Sequence, residues 1–187
     1  MQFAARRTVL LRVACVAFVV ALDLASKAAV FSWLGRLSER GELVVHHCGL
    51  GAHLRRPILG DWFAFSLSRN PGAAFGGLAN LPWLLVGGRI AASLVLLWLL
   101  VRAVQSRPWT TRACVLILGG ALGNLYDNLF LDAPGDGHPF GLVRDFIDVY
   151  FGFADWHFDT FNVADSCIFV GATILLVTGI VARKPES

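Results

Sequence analysis

Charged side chains are scarce in this chain. They make up 16% of its 187 residues, while hydrophobic residues make up 56% and the mean hydropathy is +0.64. A soluble globular domain carries about 25% charged residues, so the composition excludes an ordinary water-soluble fold and favours a protein of the lipid bilayer. Because one span needs about 20 apolar residues, residues 1–187 predict a single domain with room for about four membrane helices.

Several motifs of metal and hydrolytic chemistry are absent. The sequence has no HExxH zinc motif, no GxSxG serine elbow and no CxxC pair among its four cysteines. We therefore expect no metal, no cofactor, and cysteines that are free, packed thiols. The net charge is only +3, and the basic residues cluster at the ends of apolar runs as topology signals do. Nucleic acid is not an expected partner.

Four apolar runs predict four transmembrane helices, at about residues 9–31, 81–101, 113–130 and 161–182. The first run resembles a cleavable signal peptide, but Asp23 and Lys27 interrupt the place where a cleavage site is uncharged, so we expect a retained anchor. Between the first two runs, an insert of about residues 32–80 contains β-type stretches at 41–47 and 62–68. The predicted fold class is mainly α: a polytopic membrane protein with a small β-containing extracytoplasmic insert.

Arginine and lysine in the short flanks predict the orientation. They occur at the N-terminus, between the second and third runs, and in the tail, so these three segments are expected on the cytoplasmic side. Both termini are then cytoplasmic, and the insert faces outward. By helix rise, the polar residues of the four runs and the outward loops converge near the outer leaflet. These residues are Asp23, Asn70, Asn124, Asp127, Asp145 and Asp165.

Carboxylates at membrane depth mark functional sites or ion paths. Asp145 is predicted to close a loop that returns to the membrane, and Asp165 to begin a helix, so both can face one cavity. Two close carboxylates share a proton and divide the roles of acid and base, which is aspartyl protease chemistry. A proton-coupled transporter or channel is the rival reading, although it needs carboxylates spread across the membrane. A catalytically inactive binding or chaperone protein also stays open.

Five segments resemble the signature blocks of the lipoprotein signal peptidase family, signal peptidase II. They occur in the family's order and span nearly the whole chain. The segments are DLASK (Asp23–Lys27), NPGAAFG (Asn70–Gly76), GGALGNLYDN (Gly119–Asn128), VRDFIDVYF (Val143–Phe151) and FNVADS (Phe161–Ser166).

The resemblance implies an aspartic endopeptidase of the bacterial cytoplasmic (inner) membrane, with its site towards the outer leaflet. Such an enzyme cleaves prolipoproteins before a diacylglyceryl-modified cysteine, and we expect it to be a monomer whose partners are these substrates and membrane lipids. The family's catalytic aspartates correspond to Asp145 and Asp165. The resemblance also suggests that Asn70 binds the substrate backbone and that Asn124 and Asp127 shape the floor of the site. Gly72 and Asn162 are further candidates for the substrate site, Gly72 because glycine allows a tight turn or a close approach of substrate.

Three positions keep more than one interpretation. Asn162 either orients Asp165 or caps the helix that follows. Asp23 and Lys27 match residues that brace the first helix in the family, and their spacing of four also allows a structural ion pair.

The sequence departs from the family at Asn128, where an arginine is usual. We expect Arg144 to take over part of that arginine's contact with substrate; the alternative is that Arg144 reaches lipid headgroups.

Overall fold

A computed structural model describes residues 2–48, 51–71, 80–102, 108–135, 137–152 and 158–181, and these contain four helices and four strands. The helices are α1 (Gln2–Glu39), α2 (Pro82–Arg102), α3 (Pro108–Phe130) and α4 (Val163–Val181). The strands are β1 (Val44–Cys48), β2 (Gly51–Leu59), β3 (Phe63–Asn70) and β4 (Val143–Val149). The predicted mainly α fold with a small β-containing insert is confirmed.

All four helices are long and apolar enough to cross a membrane. Two of them begin on a proline, Pro82 in α2 and Pro108 in α3, at the first helical position, where no backbone N–H is needed. For this reason α3 starts five residues before the predicted boundary at 113, which marked only the start of the apolar run. At the other end of the chain, α4 starts two residues after the predicted boundary at 161, because Phe161 pairs with a strand.

The first helix is longer than the predicted 9–31. The part from Arg6 to Glu39 alone has 34 residues, or about 51 Å at 1.5 Å per residue, against a hydrocarbon core of about 30 Å. It ends in a Schellman motif at Gly41 (φ 68°), where Gly41 N donates to Ser38 O at 3.0 Å and Glu42 N to Leu37 O at 2.9 Å. The insert predicted from residue 32 therefore begins as helix.

The sheet is antiparallel in the order β1-β2-β3-β4. The two predicted stretches, 41–47 and 62–68, correspond to β1 and β3. The sequence analysis missed β2, whose Pro57 lies at a shift of register between Pro57 and Leu59, the kind of irregularity where a sheet tolerates proline. It also missed β4: Asp145 lies in this strand, so its predicted place in a loop was wrong.

The chain packs as two compact units. The helical unit comprises the described parts of Met1–Asp23, Gly87–Leu125 and Val163–Ser187, and the sheet unit those of Leu24–Val86 and Tyr126–Asn162. That the whole chain acts as one domain stays a prediction.

Each unit has its own apolar core. In the helical unit, Val16, Leu100, Cys114 and Leu118 form a buried cluster. Helices approach closely there: a Cβ on Gly119 would lie 2.6 Å from the Cβ of Val19. The sheet unit is built around aromatic contacts from three elements, in which the ring of Phe65 lies 6.3 Å from that of Trp33 and 5.7 Å from that of Phe146.

Candidate active site

Asp145 occupies the middle of β4, in the sheet unit. Its backbone pairs with Ser68 of β3, and its side chain is fully buried. Asn162, also fully buried, donates from Nδ2 to Asp145 Oδ1 at 2.6 Å and to the carbonyl oxygen of Arg144 at 3.3 Å. Asn162 lies directly before α4, at the position of a helix cap. Its hydrogen bond to Asp145 is a further contact, which neither predicted interpretation of Asn162 included.

A β-bulge brings Asn162 to Asp145. The backbone N–H groups of Phe146 and Ile147 both donate to the carbonyl oxygen of Phe161, at 3.1 and 2.8 Å, and Phe161 N donates back to Ile147 O at 3.1 Å. Two residues of β4 therefore oppose one residue of the neighbouring segment, and such a bulge bends a strand and redirects its side chains. Since Asn162 follows Phe161, the same pairing fixes the asparagine beside the strand.

Asn70 is close to Asp145 in the sheet. It pairs with Val143, two residues before Asp145, while Ser68 pairs with Asp145 itself. Side chains two residues apart on a strand share a face, so Asn70 and Asp145 are diagonal neighbours on one face, typically about 7–8 Å apart by Cα positions. Gly72, the other predicted substrate contact near here, lies outside the described residues.

Asp127, near the end of α3, is a fully buried carboxylate held by two cations. Lys27 Nζ of α1 lies 3.3 Å from its Oδ2, and Arg144 Nη2 lies 2.7 Å from its Oδ1. Arg144 also donates from Nε at 3.2 Å to Oδ1 and from its backbone N at 3.0 Å to Oδ2. Spacing alone predicted Asp23 as the partner of Lys27, which stays a prediction; Asp127 is a partner that spacing did not reveal.

Asn128, at the position where the family has arginine, is a buried structural contact. Its Nδ2 donates to Gly141 O at 2.8 Å, and Gly141 N donates to Asn128 O at 3.0 Å. A Cβ at Gly141 would lie 2.6 Å from the carbonyl oxygen of Leu131, so only glycine fits opposite this asparagine. From the sequence, Asn128 was interpreted only as the absence of the family's arginine, and this structural role was missed.

A second buried ion pair crosses the sheet. Arg55 Nε of β2 lies 3.6 Å from Asp148 Oδ2 of β4, and the two side chains are 2% and 0% exposed. The residues between them on β3 are small and buried, Ser66 opposite Arg55 and Ala64 opposite Asp148. The sequence analysis missed this pair because nothing marked β2 as a strand.

In the helical unit, Asp165 lies in the first turn of α4, where the helix dipole stabilises a carboxylate. Asn124 of α3, 1% exposed, donates from Nδ2 to Asp165 Oδ1 at 2.7 Å. Asp165 and Asp145 thus each bind one buried asparagine amide. Both of these donors are neutral amides, whereas the side chains that contact Asp127 are cations.

Asp23 binds the start of α4. Its Oδ1 accepts a hydrogen bond at 2.9 Å from the backbone N–H of Ala164, one of the N–H groups that a helix leaves without an internal partner. Gly123 makes this possible, because a Cβ there would collide with the carboxylate of Asp23. The predicted bracing role of Asp23 stays a prediction, but this contact gives it a concrete form: a cap supplied by another helix.

An open cavity of about 600 Å³ lies elsewhere in the sheet unit. It is lined by Asp61, Trp62, Val149, Tyr150, Phe151 and Gly152. Asp145 is not among these residues; Val149 is four positions further along β4, about 13 Å in an extended strand. The cavity is therefore distinct from the surroundings of Asp145, whose side chain is fully buried.

Sequence comparison relates the chain to known proteins. It matches the family model described as Signal peptidase (SPase) II over residues 15–181. The lipoprotein signal peptidase of Cronobacter sakazakii is 35% identical over 177 residues, covering 92% of this chain and 90% of that protein. The lipoprotein signal peptidase of Citrobacter koseri is 39% identical over 121 residues, covering 63% of this chain and 68% of that protein.

Structural comparison finds two bacterial membrane enzymes solved by the in meso method, at 2.3 and 1.9 Å resolution. Their TM-scores are 0.68 and 0.62, and both are 22% identical in sequence to this chain. The alignments cover 94% and 89% of this chain, and 92% and 90% of the two solved chains. At this level of identity, the likeness establishes the fold.

Proposed function

The chain belongs to the signal peptidase II family, and from this premise we propose that Asp145 and Asp165 are the catalytic pair with which it removes signal peptides from prolipoproteins. Membership makes the chain a bacterial membrane protease. The aspartic mechanism and the identity of the two aspartates belong to the proposal.

One observation supports the proposal: the short segment 162–165 contains Asp165 and also provides a hydrogen bond to Asp145. Asn162 donates its amide to Asp145, and Asp165 follows three residues later at the start of α4. Asp165 in turn binds the amide of Asn124. Two carboxyl groups that act as a pair need fixed orientations and freedom to exchange a proton, and neutral amide donors supply the first without preventing the second.

In the proposed reaction the pair holds one proton. The ionised carboxylate takes a proton from water while the water oxygen attacks the carbonyl carbon of the scissile peptide bond. The protonated partner then gives its proton to the leaving nitrogen as the C–N bond breaks. The new N-terminus is the diacylglyceryl-modified cysteine, and the reaction as proposed uses no metal or cofactor.

The remaining predicted residues divide into contacts with substrate and supports for the pair. Asn70 shares a sheet face with Asp145, so we assign it, with Gly72, to the substrate backbone. Asn124 and Asn162 orient the two carboxylates from within the substrate site. Asp127 shapes the site through its contacts with β4.

The proposed topology follows the positive charges. Both termini lie in the cytoplasm, the β-containing insert faces outward, and the monomeric enzyme receives its acylated substrate from the lipid near the outer leaflet. The helices leave large apolar side chains on their surfaces, among them Phe18, Trp98 and Phe169, which are 57–72% exposed in the protein alone. Such surfaces suit contact with acyl chains.

The test is cleavage of a diacylglyceryl-modified prolipoprotein by the purified, detergent-solubilised protein, with the released signal peptide identified by mass. Asp145→Asn and Asp165→Asn should each lower kcat by several orders of magnitude while the protein still folds. Asp132→Asn, which changes an exposed loop aspartate in the same way, should behave like the wild type. More than about a tenth of wild-type activity in either variant would remove that residue from catalysis.

A further inference from the structure

Arg144 is the residue before Asp145, yet alternation along β4 places the two side chains on opposite faces of the strand. Its guanidinium is turned to Asp127, which binds Nε and Nη2 of the same fork. The same carboxylate accepts the backbone N–H of Arg144. One buried anion therefore fixes both the main chain and the side chain of the residue next to Asp145.

We infer that Arg144 is a positioning residue for Asp145: by its double attachment to Asp127 it fixes the start of β4 against the end of α3. This inference rests on the proposed catalytic role of Asp145. This role differs from a contact between Arg144 and substrate. Nε and Nη2 are the two nitrogens with which an arginine binds a planar acceptor, and Asp127 already occupies both.

The attachment is strong because its anchor is itself fixed. Asp127 is fully buried, and Lys27, also fully buried, binds its second oxygen from α1. The charged and bidentate geometry of the Arg144 contact makes it stronger than a neutral hydrogen bond and fixes its direction. Small displacements of a catalytic group are costly, since a misplacement of about 1 Å can lower a rate about 100-fold.

A second attachment lies next to the first along the chain. Asn128, directly after Asp127, exchanges two hydrogen bonds with Gly141. The consecutive residues 127 and 128 thus hold both ends of the segment 141–144 that leads into Asp145. Removing one attachment leaves the other, so variants of Arg144 should remain folded.

Arg69 provides a matched control. It pairs with Arg144 in the register of β3 and β4, so it carries the same charge at the position directly opposite, but it is exposed. Like charges in opposed positions repel, and Asp127 compensates the charge of Arg144, the less exposed member of the pair. Arg69→Ala therefore removes one arginine from the same sheet position without disturbing Asp127.

The experiment compares Arg144→Ala, Arg144→Lys and Arg69→Ala with the wild type, using steady-state cleavage of the acylated substrate. Arg144→Ala should lower kcat about 10- to 100-fold with KM changed less than about threefold. Arg144→Lys should recover part of the loss, because an ammonium group supplies charge without the planar fork. A raised KM with unchanged kcat would overturn the inference in favour of substrate contact, and an equal loss in Arg69→Ala would reduce it to a charge effect.

Hydrogen–deuterium exchange tests the positioning role of Arg144 independently of activity. Peptides covering residues 143–149 should exchange faster in Arg144→Ala than in the wild type, while those covering β1 should not change. Arg69→Ala should leave both unaltered. Unchanged exchange in 143–149 would overturn the positioning role even if the wild type proved unable to cleave the substrate, an outcome that would refute the proposed function separately.

Discussion

The hydrogen bond from Asn162 to Asp145 predicts a defined loss of rate. The bond measures 2.6 Å and joins two fully buried side chains, and a hydrogen bond to a charged group contributes about 1.5–3 kcal/mol. If that free energy serves to orient Asp145 in the transition state, Asn162→Ala should lower kcat/KM about 10- to 150-fold, at 1.36 kcal/mol per factor of ten. The assay is cleavage of a diacylated prolipopeptide at substrate concentrations far below KM.

Two further variants separate orientation from helix capping. Asn162→Ser keeps a good capping side chain but is too short to reach Asp145, so it should be as impaired as Asn162→Ala. Asn80→Ala makes the same truncation at an exposed position and should be indistinguishable from the wild type. Wild-type activity in Asn162→Ser would show that capping is the role of this residue, and a loss below about threefold in Asn162→Ala would refute the orienting role altogether.

Other contacts give shorter predictions. Asp148→Leu leaves the buried guanidinium of Arg55 without its ion pair, which should cost about 3–5 kcal/mol of stability and lower Tm by about 6–20 °C, at 2–4 °C per kcal/mol. The double variant Asp148→Leu/Arg55→Met should recover most of this Tm loss. No recovery would count against the ion pair. Gly123→Ala should displace the carboxylate of Asp23 and reduce the yield of folded protein. Gly88→Ala, where a Cβ would lie in open space, should not. Equal yields would contradict the role of Asp23 as a cap of α4. Because the proposed reaction uses carboxylates alone, EDTA should leave turnover unchanged, and inhibition reversed by added metal would argue against it.

The helices were predictable because their signal is local. Each is an apolar run long enough to span a bilayer, and composition reveals such a run without knowledge of its neighbours. Their ends were less predictable, since α1 continues to Glu39 and α3 begins at Pro108, beyond the apolar stretch in both cases. Ends depend on backbone details such as the Gly41 motif, which a hydropathy pattern does not contain.

The sheet was only half predictable because strand pairing is not local. In β2, two arginines and a proline obscure any alternation, and in β4 charged residues interrupt the apolar ones. The charges become compatible with a sheet only through partners elsewhere, as Arg55 and Asp148 show. A window of sequence that contains one partner without the other therefore indicates a loop.

The site residues were identified from the sequence more completely than their contacts. The family blocks named Asp23, Lys27 and Asp127, and the spacing of four between Asp23 and Lys27 pointed only to contacts within α1. In the structure Asp23 binds the N–H of Ala164, 141 residues away, and Lys27 binds Asp127. Asn128 was similarly judged by the residue it replaces, although it forms a buried contact of its own. An arginine introduced there would have to displace that contact.

The position of β4, at the edge of the sheet and after α3 in the chain, determines the order in which the strands can pair. Strands β1 to β3 are neighbours along the chain and can pair as soon as they leave the ribosome, but β4 joins β3 only after α2 and α3 have been synthesised. Pairings between such distant segments form late in folding. Until then β3 presents an open edge, and Asp145 has no strand to hold it. A chain that ends after α3 lacks β4 and both aspartates of the proposed pair, so under the proposed mechanism we expect peptide bond cleavage to require the part of the chain that follows α3.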